Sequence, residues 1–310
     1  MPNEWEKKVF RNKHEEINQF LEQKETTGRS PRTLNAYSRV LKKFYHEHFP
    51  DRTPADTTVR DIEEYMRILN DRELSRNTKR RYLESLSAFF SYAMKRPRFE
   101  EITGNPAAVV LEEIPKEIRS RPDCATWENA KKIVQSISKP RDRAIAMLMA
   151  KTGCRLTEAL EVKLDGLMLE DGFIRLTQRK GGKQTVVPVD EETVRAIRRS
   201  QLVRGDDEDD YLFVSMRGNR VGREQLRRSI REAAIESEVM DEGETRFERK
   251  FTPHTFRTVF TTLMRRQGMD DRILQYIRGD AESETMDIYT KVDREEVREQ
   301  YLDCIKPLDS

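Results

Sequence analysis

Apolar residues in the first hundred positions recur every three or four residues, the spacing that lines one face of a helix. One amphipathic stretch covers roughly Trp5 to Gln23. Ser30-Pro31 reads as a helix start: a serine cap, then a proline in the first turn, where its missing N–H costs nothing. Leu34, Tyr37, Leu41, Phe44 and Tyr45 follow at helical spacing. A third helix is predicted from near Thr58, turning Ile62, Tyr65, Met66 and Leu69 inward, and a fourth from Ser75, carrying Tyr82, Leu86, Phe89, Phe90 and Ala93. Together they predict a small helical bundle over residues 1–96. Prolines 97, 106, 115 and 122 then break the pattern, and 97–122 reads as an interdomain linker.

A second domain, 123–310, begins near Thr126, an N-cap with Glu128 in the first turn. Helices are predicted at about 126–138 and 141–152, and just after Gly153. Between 166 and 189 the period changes to that of a short antiparallel sheet, with turns at Asp171-Gly172 and Gly181-Gly182. Helix resumes at about 191–203, followed by an acidic loop at 206–210 and a short strand from Tyr211 to Val214. Further helices are predicted near 222–237, 253–267, 270–278, 283–289 and 293–304. The fold class is therefore mainly α (α+β): a helical domain, then a mostly helical domain holding a small antiparallel sheet.

The bulk numbers narrow the function. A chain of 310 residues is long enough for two cores. No apolar run approaches the roughly 18 residues of a membrane span, and the N-terminal residues lack the apolar segment of a signal peptide, so a cytoplasmic protein with no membrane partner is expected. Cys124, Cys154 and Cys304 lie far apart and form no CxxC pair, which suggests neither a zinc site nor a disulfide framework. The net charge of +2 says little about nucleic acid, but local basic clusters say more. Arg76, Lys79, Arg80 and Arg81 crowd one helix start. Arg220, Arg223, Arg227 and Arg231 share a helical spacing later in the chain. Such runs are either phosphate contacts or solvated faces.

Four local strings carry candidate chemistry. In Thr152-Gly153-Cys154-Arg155-Leu156-Thr157-Glu158, the glycine ends one helix and Arg155 starts the next. A guanidinium beside free N–H groups suits a phosphate; the alternative is a surface pair of Arg155 with Glu158. In Pro253-His254-Thr255-Phe256-Arg257, His254 and Arg257 share one helical face and can move a proton and neutralise a phosphoryl oxygen. The alternative is an incidental basic pair at a capped helix start. Tyr289, in Ile288-Tyr289-Thr290, is a nucleophile only with cationic help and is otherwise a packing residue. Lys180, in Arg179-Lys180-Gly181-Gly182-Lys183, stands on a hairpin tip and can donate a proton, with Lys183 as a competitor for that role.

Taken in order, Arg155 within TGCRLTEAL, Lys180, His254-Thr-Phe-Arg257 and Tyr289 resemble the tyrosine recombinases, the family of phage integrases and Xer-type resolvases. The resemblance covers essentially the whole chain, and the wording around Tyr276–Asp280 and Met286–Tyr289 looks like archaeal or archaeal-virus members, although the acidic excess of halophiles is missing. It implies a core-binding domain and a catalytic domain closing on DNA as a C-shaped clamp. It implies that Tyr289 attacks the scissile phosphate to leave a 3′-phosphotyrosyl bond. Arg155 and Arg257 would hold the non-bridging oxygens, Lys180 would protonate the leaving 5′ oxygen, His254 would accept or relay the tyrosine proton, and Glu158 would steady the site. No metal and no cofactor is implied. At one position the pattern breaks: members usually carry Gly-His or Gly-Trp nine residues before the tyrosine, and here stands Gly279-Asp280. An ionised Asp280 cannot donate a hydrogen bond to phosphate and repels it. It either pairs with an arginine, bonds another active-site group, or caps the following helix, with Arg278 able to supply positive charge.

The partners implied are double-stranded DNA recombination sites, a homo-tetramer on DNA and an excision helper protein. Arg76, Lys79, Arg80, Arg81, Arg220, Arg223 and Arg227 are the candidate phosphate contacts. The last helix docks either on a neighbouring subunit or back on its own chain. Two rival readings remain at this point: a type IB topoisomerase, and a DNA-binding regulator whose site Asp280 disables.

Overall fold

The computed structural model describes residues 12–117, 121–177, 184–204, 210–215, 218–280 and 293–309. The chain divides into two compact units, Met1–Arg119 and Ser120–Ser310.

Unit 1 is built from α1 (Glu15–Thr26), α2 (Pro31–Lys42), α3 (Val59–Asp71), α4 (Arg76–Ala93) and α5 (Pro106–Glu113), with α2 running on into a π-helical turn at Lys43–His48. The starts follow the cap chemistry. The Ser30 hydroxyl accepts from the Thr33 N–H, and that of Ser75 from Thr78. Thr58 and Asp61 form a reciprocal box in which the Asp61 carboxylate accepts the Thr58 N–H at 2.8 Å. Phe20, Phe44, Tyr45, Tyr65, Phe89 and Phe90 fill the interior, with Phe44 and Tyr65 edge-to-face at 5.1 Å between centroids. Trp5 lies outside the described residues, and α1 opens at Glu15.

The stretch expected to be an irregular linker holds α5. Pro106 sits in its first turn, where proline is tolerated, and the Asn105 side chain accepts from the Ala108 N–H. Ala107 and Val110 enter the core of unit 1. The proline that reads as a breaker is here an initiator.

Unit 2 comprises α6 (Trp127–Ser136), α7 (Pro140–Thr152), α8 (Leu156–Leu160), strands β1 (Leu167–Met168), β2 (Phe173–Leu176) and β3 (Thr185–Pro188), then α9 (Glu191–Leu202), α10 (Arg223–Glu236), α11 (Pro253–Arg266), α12 (Asp271–Arg278) and α13 (Arg294–Cys304). The sheet is antiparallel in the order β1-β2-β3, with Leu167 opposite Ile174 and Ile174 opposite Val187. Helix α7 is buried on all sides from Ala144 to Thr152 and forms the axis of the unit. Tyr211–Val214 is not a strand: its residues make only isolated bridges, Lys163 with Tyr211 and Val214 with Arg220. The Gly181-Gly182 turn, the helix expected at 283–289 and residues 206–209 of the acidic loop fall outside the described residues.

Burying α7 completely also buries Lys151, which is 0% exposed. Its ammonium meets Asp190 at 2.6 Å, Glu192 at 2.5 Å and the Lys306 carbonyl at 2.7 Å. Glu192 in turn accepts the N–H groups of Leu308 and Asp309. Burial by itself raises the Glu192 carboxyl, but the Lys151 hydrogen bond and the two amides outweigh it and hold it below the usual carboxylate range. The segment after α13 is thus fastened inside its own unit, with Leu308 fully buried and its carbonyl receiving the Gln135 amide. The last helix packs in cis, burying Val297 and Tyr301.

Candidate active site

Helix α7 ends at Gly153 with φ +63°, a left-handed turn that favours glycine. A Cβ there would meet the Phe260 ring at 2.5 Å, so space and backbone both require glycine. The turn directs Arg155 to the start of α8. Glu158, 1% exposed, accepts from the Arg155 N–H at 2.9 Å and from its guanidinium at 2.7 Å. The Arg155–Glu158 pair is therefore half-interior rather than a surface pair: the arginine remains about one-third open while its partner is sealed.

Across from it, α11 starts with Thr252, Pro253 and a box closed by Thr255. This start sets Arg257 inward, 4% exposed, and leaves His254 exposed. Arg257 donates to the Gly153 carbonyl at 2.8 Å and to the Arg278 carbonyl at 2.8 Å. The end of α7, α11 and the end of α12 are joined through one side chain. Sequence reading missed that backbone role of Gly153, because side-chain motifs do not display carbonyls; the only hint was a glycine at a helix end.

Helix α12 closes at Gly279, φ +60°, and the turn delivers Asp280 into the arginines. The Asp280 carboxylate pairs with Arg257, meets Arg278 at 3.2 Å and lies 3.8 Å from Arg155. Of the three readings open for Asp280, pairing with arginine is the one observed. Arg278 supplies a third guanidinium to the cluster. Its Nε is buried with no hydrogen-bond partner among the described residues.

Charge crowding shows in the proton affinities. Burial, then repulsion from Arg278, pulls the Arg257 guanidinium down to about 10, partly offset by Asp280. It stays charged at neutral pH, in a site that favours anions. His254 is lowered below 6.5 by desolvation, then by Arg257, Arg155 and Arg278, so its ring favours the neutral, proton-accepting form. Tyr289 and Lys180, with its competitor Lys183, lie outside the described residues. The described residues contain no group of three or more His, Cys, Asp or Glu able to hold a metal ion.

The candidate phosphate contacts fare unevenly. Arg76 and Arg81 are exposed on α4. Lys79 donates to Asn70 at 2.5 Å. Arg80 is engaged at the end of α5, donating to the carbonyls of Leu111, at 3.1 Å, and Ile114, and so acts as a C-terminal cap there. Arg220 precedes α10 rather than sharing its face; it pairs with Glu161 and stacks over Tyr211, 5.3 Å from the ring centroid. Arg223 and Arg227 are exposed on α10, the latter 3.4 Å from Glu224.

Comparison with known proteins places these features in a wider set. Residues 125–296 match the phage integrase family, and residues 17–98 match the phage integrase N-terminal SAM-like domain. Tyrosine recombinase XerA of Pyrococcus furiosus is 29% identical over 92% of this chain and 92% of its own length. Tyrosine recombinase XerD of Listeria innocua is 30% identical over 88% of this chain and 92% of that protein. A lambda integrase dimer bound to a COC′ core site shares the fold with a TM-score of 0.69 at 21% identity, covering 90% of this chain and 98% of that one. XerH bound to palindromic difH substrate, in a post-cleavage complex, gives 0.68 at 22% identity, with 91% and 82% covered.

Proposed function

We propose, since this chain belongs to the phage integrase family of tyrosine recombinases, that it is a site-specific recombinase that cuts and rejoins duplex DNA through Tyr289. The observation that carries this reading is the gathering of Arg155, at the start of α8, with His254 and Arg257 of α11, about a hundred residues later, at one partly open cationic site. Phosphoryl transfer needs positioning and charge neutralisation, which two forked guanidiniums provide. Arg155 and Arg257 hold the non-bridging oxygens of the scissile phosphate. The Tyr289 oxygen forms a bond to phosphorus as the bond to the 5′ oxygen breaks, leaving a 3′-phosphotyrosyl link. His254, favoured neutral, accepts the tyrosine proton, and Lys180 gives one to the departing oxygen. Glu158 fixes Arg155.

Unit 1 acts as the core-binding domain and unit 2 as the catalytic domain. Arg76, Arg81, Arg223 and Arg227 contact phosphates, and the working form on DNA is a tetramer, with a helper protein for excision. The reaction takes place in the cytoplasm; among the described residues no helix is long and apolar enough to cross a membrane. The regulator and topoisomerase readings are not favoured, as the relatives named above are recombinases over nearly the whole chain. The test is covalent trapping on a duplex carrying the protein's own recombination site with a nick beside the scissile phosphate. Wild-type protein forms an adduct, and Tyr289→Phe forms none while still binding. Absence of an adduct with wild-type protein would overturn the proposal.

A further inference from the structure

Three guanidiniums around a single carboxylate form an anion site that already holds an anion. Arg257, buried and fixed by two backbone carbonyls, cannot turn away from the site. Arg155 is fixed by Glu158 but keeps its outer nitrogen 3.8 Å from Asp280, longer than a hydrogen bond. Arg278 reaches the second carboxylate oxygen at 3.2 Å and retains a buried Nε without an acceptor among the described residues. Among the described residues three cations face two carboxylates, Glu158 and Asp280, which leaves positive charge over. Of the two acids, Glu158 is sealed while Asp280 is 30% exposed, at the end of a helix, after a glycine turn. Glu158 is built in, and Asp280 is positioned to leave.

We infer that Asp280 is an internal competitor for the phosphate seat: its carboxylate occupies the arginine site in the free protein, and a DNA phosphate must displace it to be gripped by Arg155, Arg257 and Arg278. This rests on the recombinase reading of the site. The consequence is discrimination. A ligand that touches only the arginines must replace an attached anion and gains little. Duplex DNA anchored elsewhere on the protein brings its phosphate at high local concentration and wins. Where the competent, vacated state is populated in a tenth of molecules or fewer, apparent affinity for a free anion falls by about tenfold or more. Asp280 is thus a specificity-determining residue, setting which anions reach the site, and Arg278 is the third arm that both carboxylate and phosphate use.

The probe is inorganic phosphate, titrated calorimetrically into the full chain. Asp280→Asn keeps the shape and one acceptor for Arg257 but removes the charge; it binds phosphate about tenfold or more tighter than wild type. Adding Arg155→Ala to that variant cancels the gain, which locates the phosphate at this cluster. Unchanged or weaker binding in Asp280→Asn overturns the inference, because a carboxylate that merely organises the arginines would be missed rather than displaced. Should the asparagine variant unfold, Asp280→Ser, which keeps a small acceptor, repeats the measurement under the same criterion. The two proposals fail separately. Tighter phosphate binding without any wild-type DNA adduct sinks the recombinase reading alone. A wild-type adduct with no gain in Asp280→Asn sinks the competitor alone.

Discussion

Around Lys151 one ammonium is enclosed by two carboxylates and a carbonyl; around Asp280 one carboxylate is surrounded by three guanidiniums. Both clusters lie in unit 2 and both involve α7 or its end. They differ in access and in balance. Lys151 is shut off from solvent, its proton donors are spent, and the surplus negative charge on Glu192 is absorbed by the Leu308 and Asp309 amides. In the arginine cluster Arg155 and Asp280 remain partly open; burial, then the like charge of Arg278, lowers Arg257, and burial, with the like charges of Arg265 and Arg155, lowers Arg278. A closed and compensated ion cluster fastens a structure. An open one in which described guanidiniums outnumber described carboxylates suits an anionic ligand.

The contrast can be tested by damaging each side. The largest effect is expected from Lys151→Ala. It leaves Asp190 and Glu192 facing each other without a cation, and the loss of one partner of a buried pair costs about 3–5 kcal/mol. Denaturant unfolding of unit 2 should shift accordingly. A shift below about 1 kcal/mol, the range of surface pairs, would erase the distinction between the clusters.

Arg257→Lys comes next. Lysine offers a point charge where the fork joins two carbonyls and Asp280. Adduct formation on the nicked substrate should slow by about 10²–10³, the usual cost of removing one such donor, while the thermal midpoint moves far less than in Lys151→Ala. Equal effects on stability would mean that the arginine cluster is structural too.

The mildest probe is pH, which acts on the two clusters in different windows. Glu192 is depressed below its ordinary 4.5, so its contribution is fully present above that value and is lost as pH falls through the lower folded value. Amide exchange of Leu308 and Asp309 should therefore stay protected at pH 5 and open only in stronger acid. His254 is depressed below 6.5, and the neutral ring persists as pH falls past that point. The pH profile of kcat/KM, which reports the free protein, should lose activity only on the acid side of 6.5, and His254→Gln should flatten that limb. A limb centred above 6.5 would contradict the crowding seen at the site.

Much of the fold could be read from local chemistry. Ser30, Thr58, Ser75 and Thr126 announce helix starts because a cap is a contact over three residues. Arg155 with Glu158, and His254 with Arg257, are legible for the same reason. Asp280 could be singled out as a departure, but its partners could not be fixed, since Arg155 lies 125 positions earlier and Arg257 lies 23 earlier, and only tertiary packing unites them. Helix α5 was hidden because a proline at a first turn and a proline in a linker look alike. Lys151 was overlooked, although its setting was informative: AIAMLMAKTG is apolar on every face, so a lysine within it has to find its counter-charge indoors.

Residues 305–309 are tied down at the foot of α7. Glu192 binds the Asp309 amide, and the Asp309 side chain is paired to Arg143 at 2.5 Å. Trimming back to Cys304 would take away the Lys306 carbonyl, both Glu192 amides and the Leu308 plug together, leaving a hole at the foot of α7.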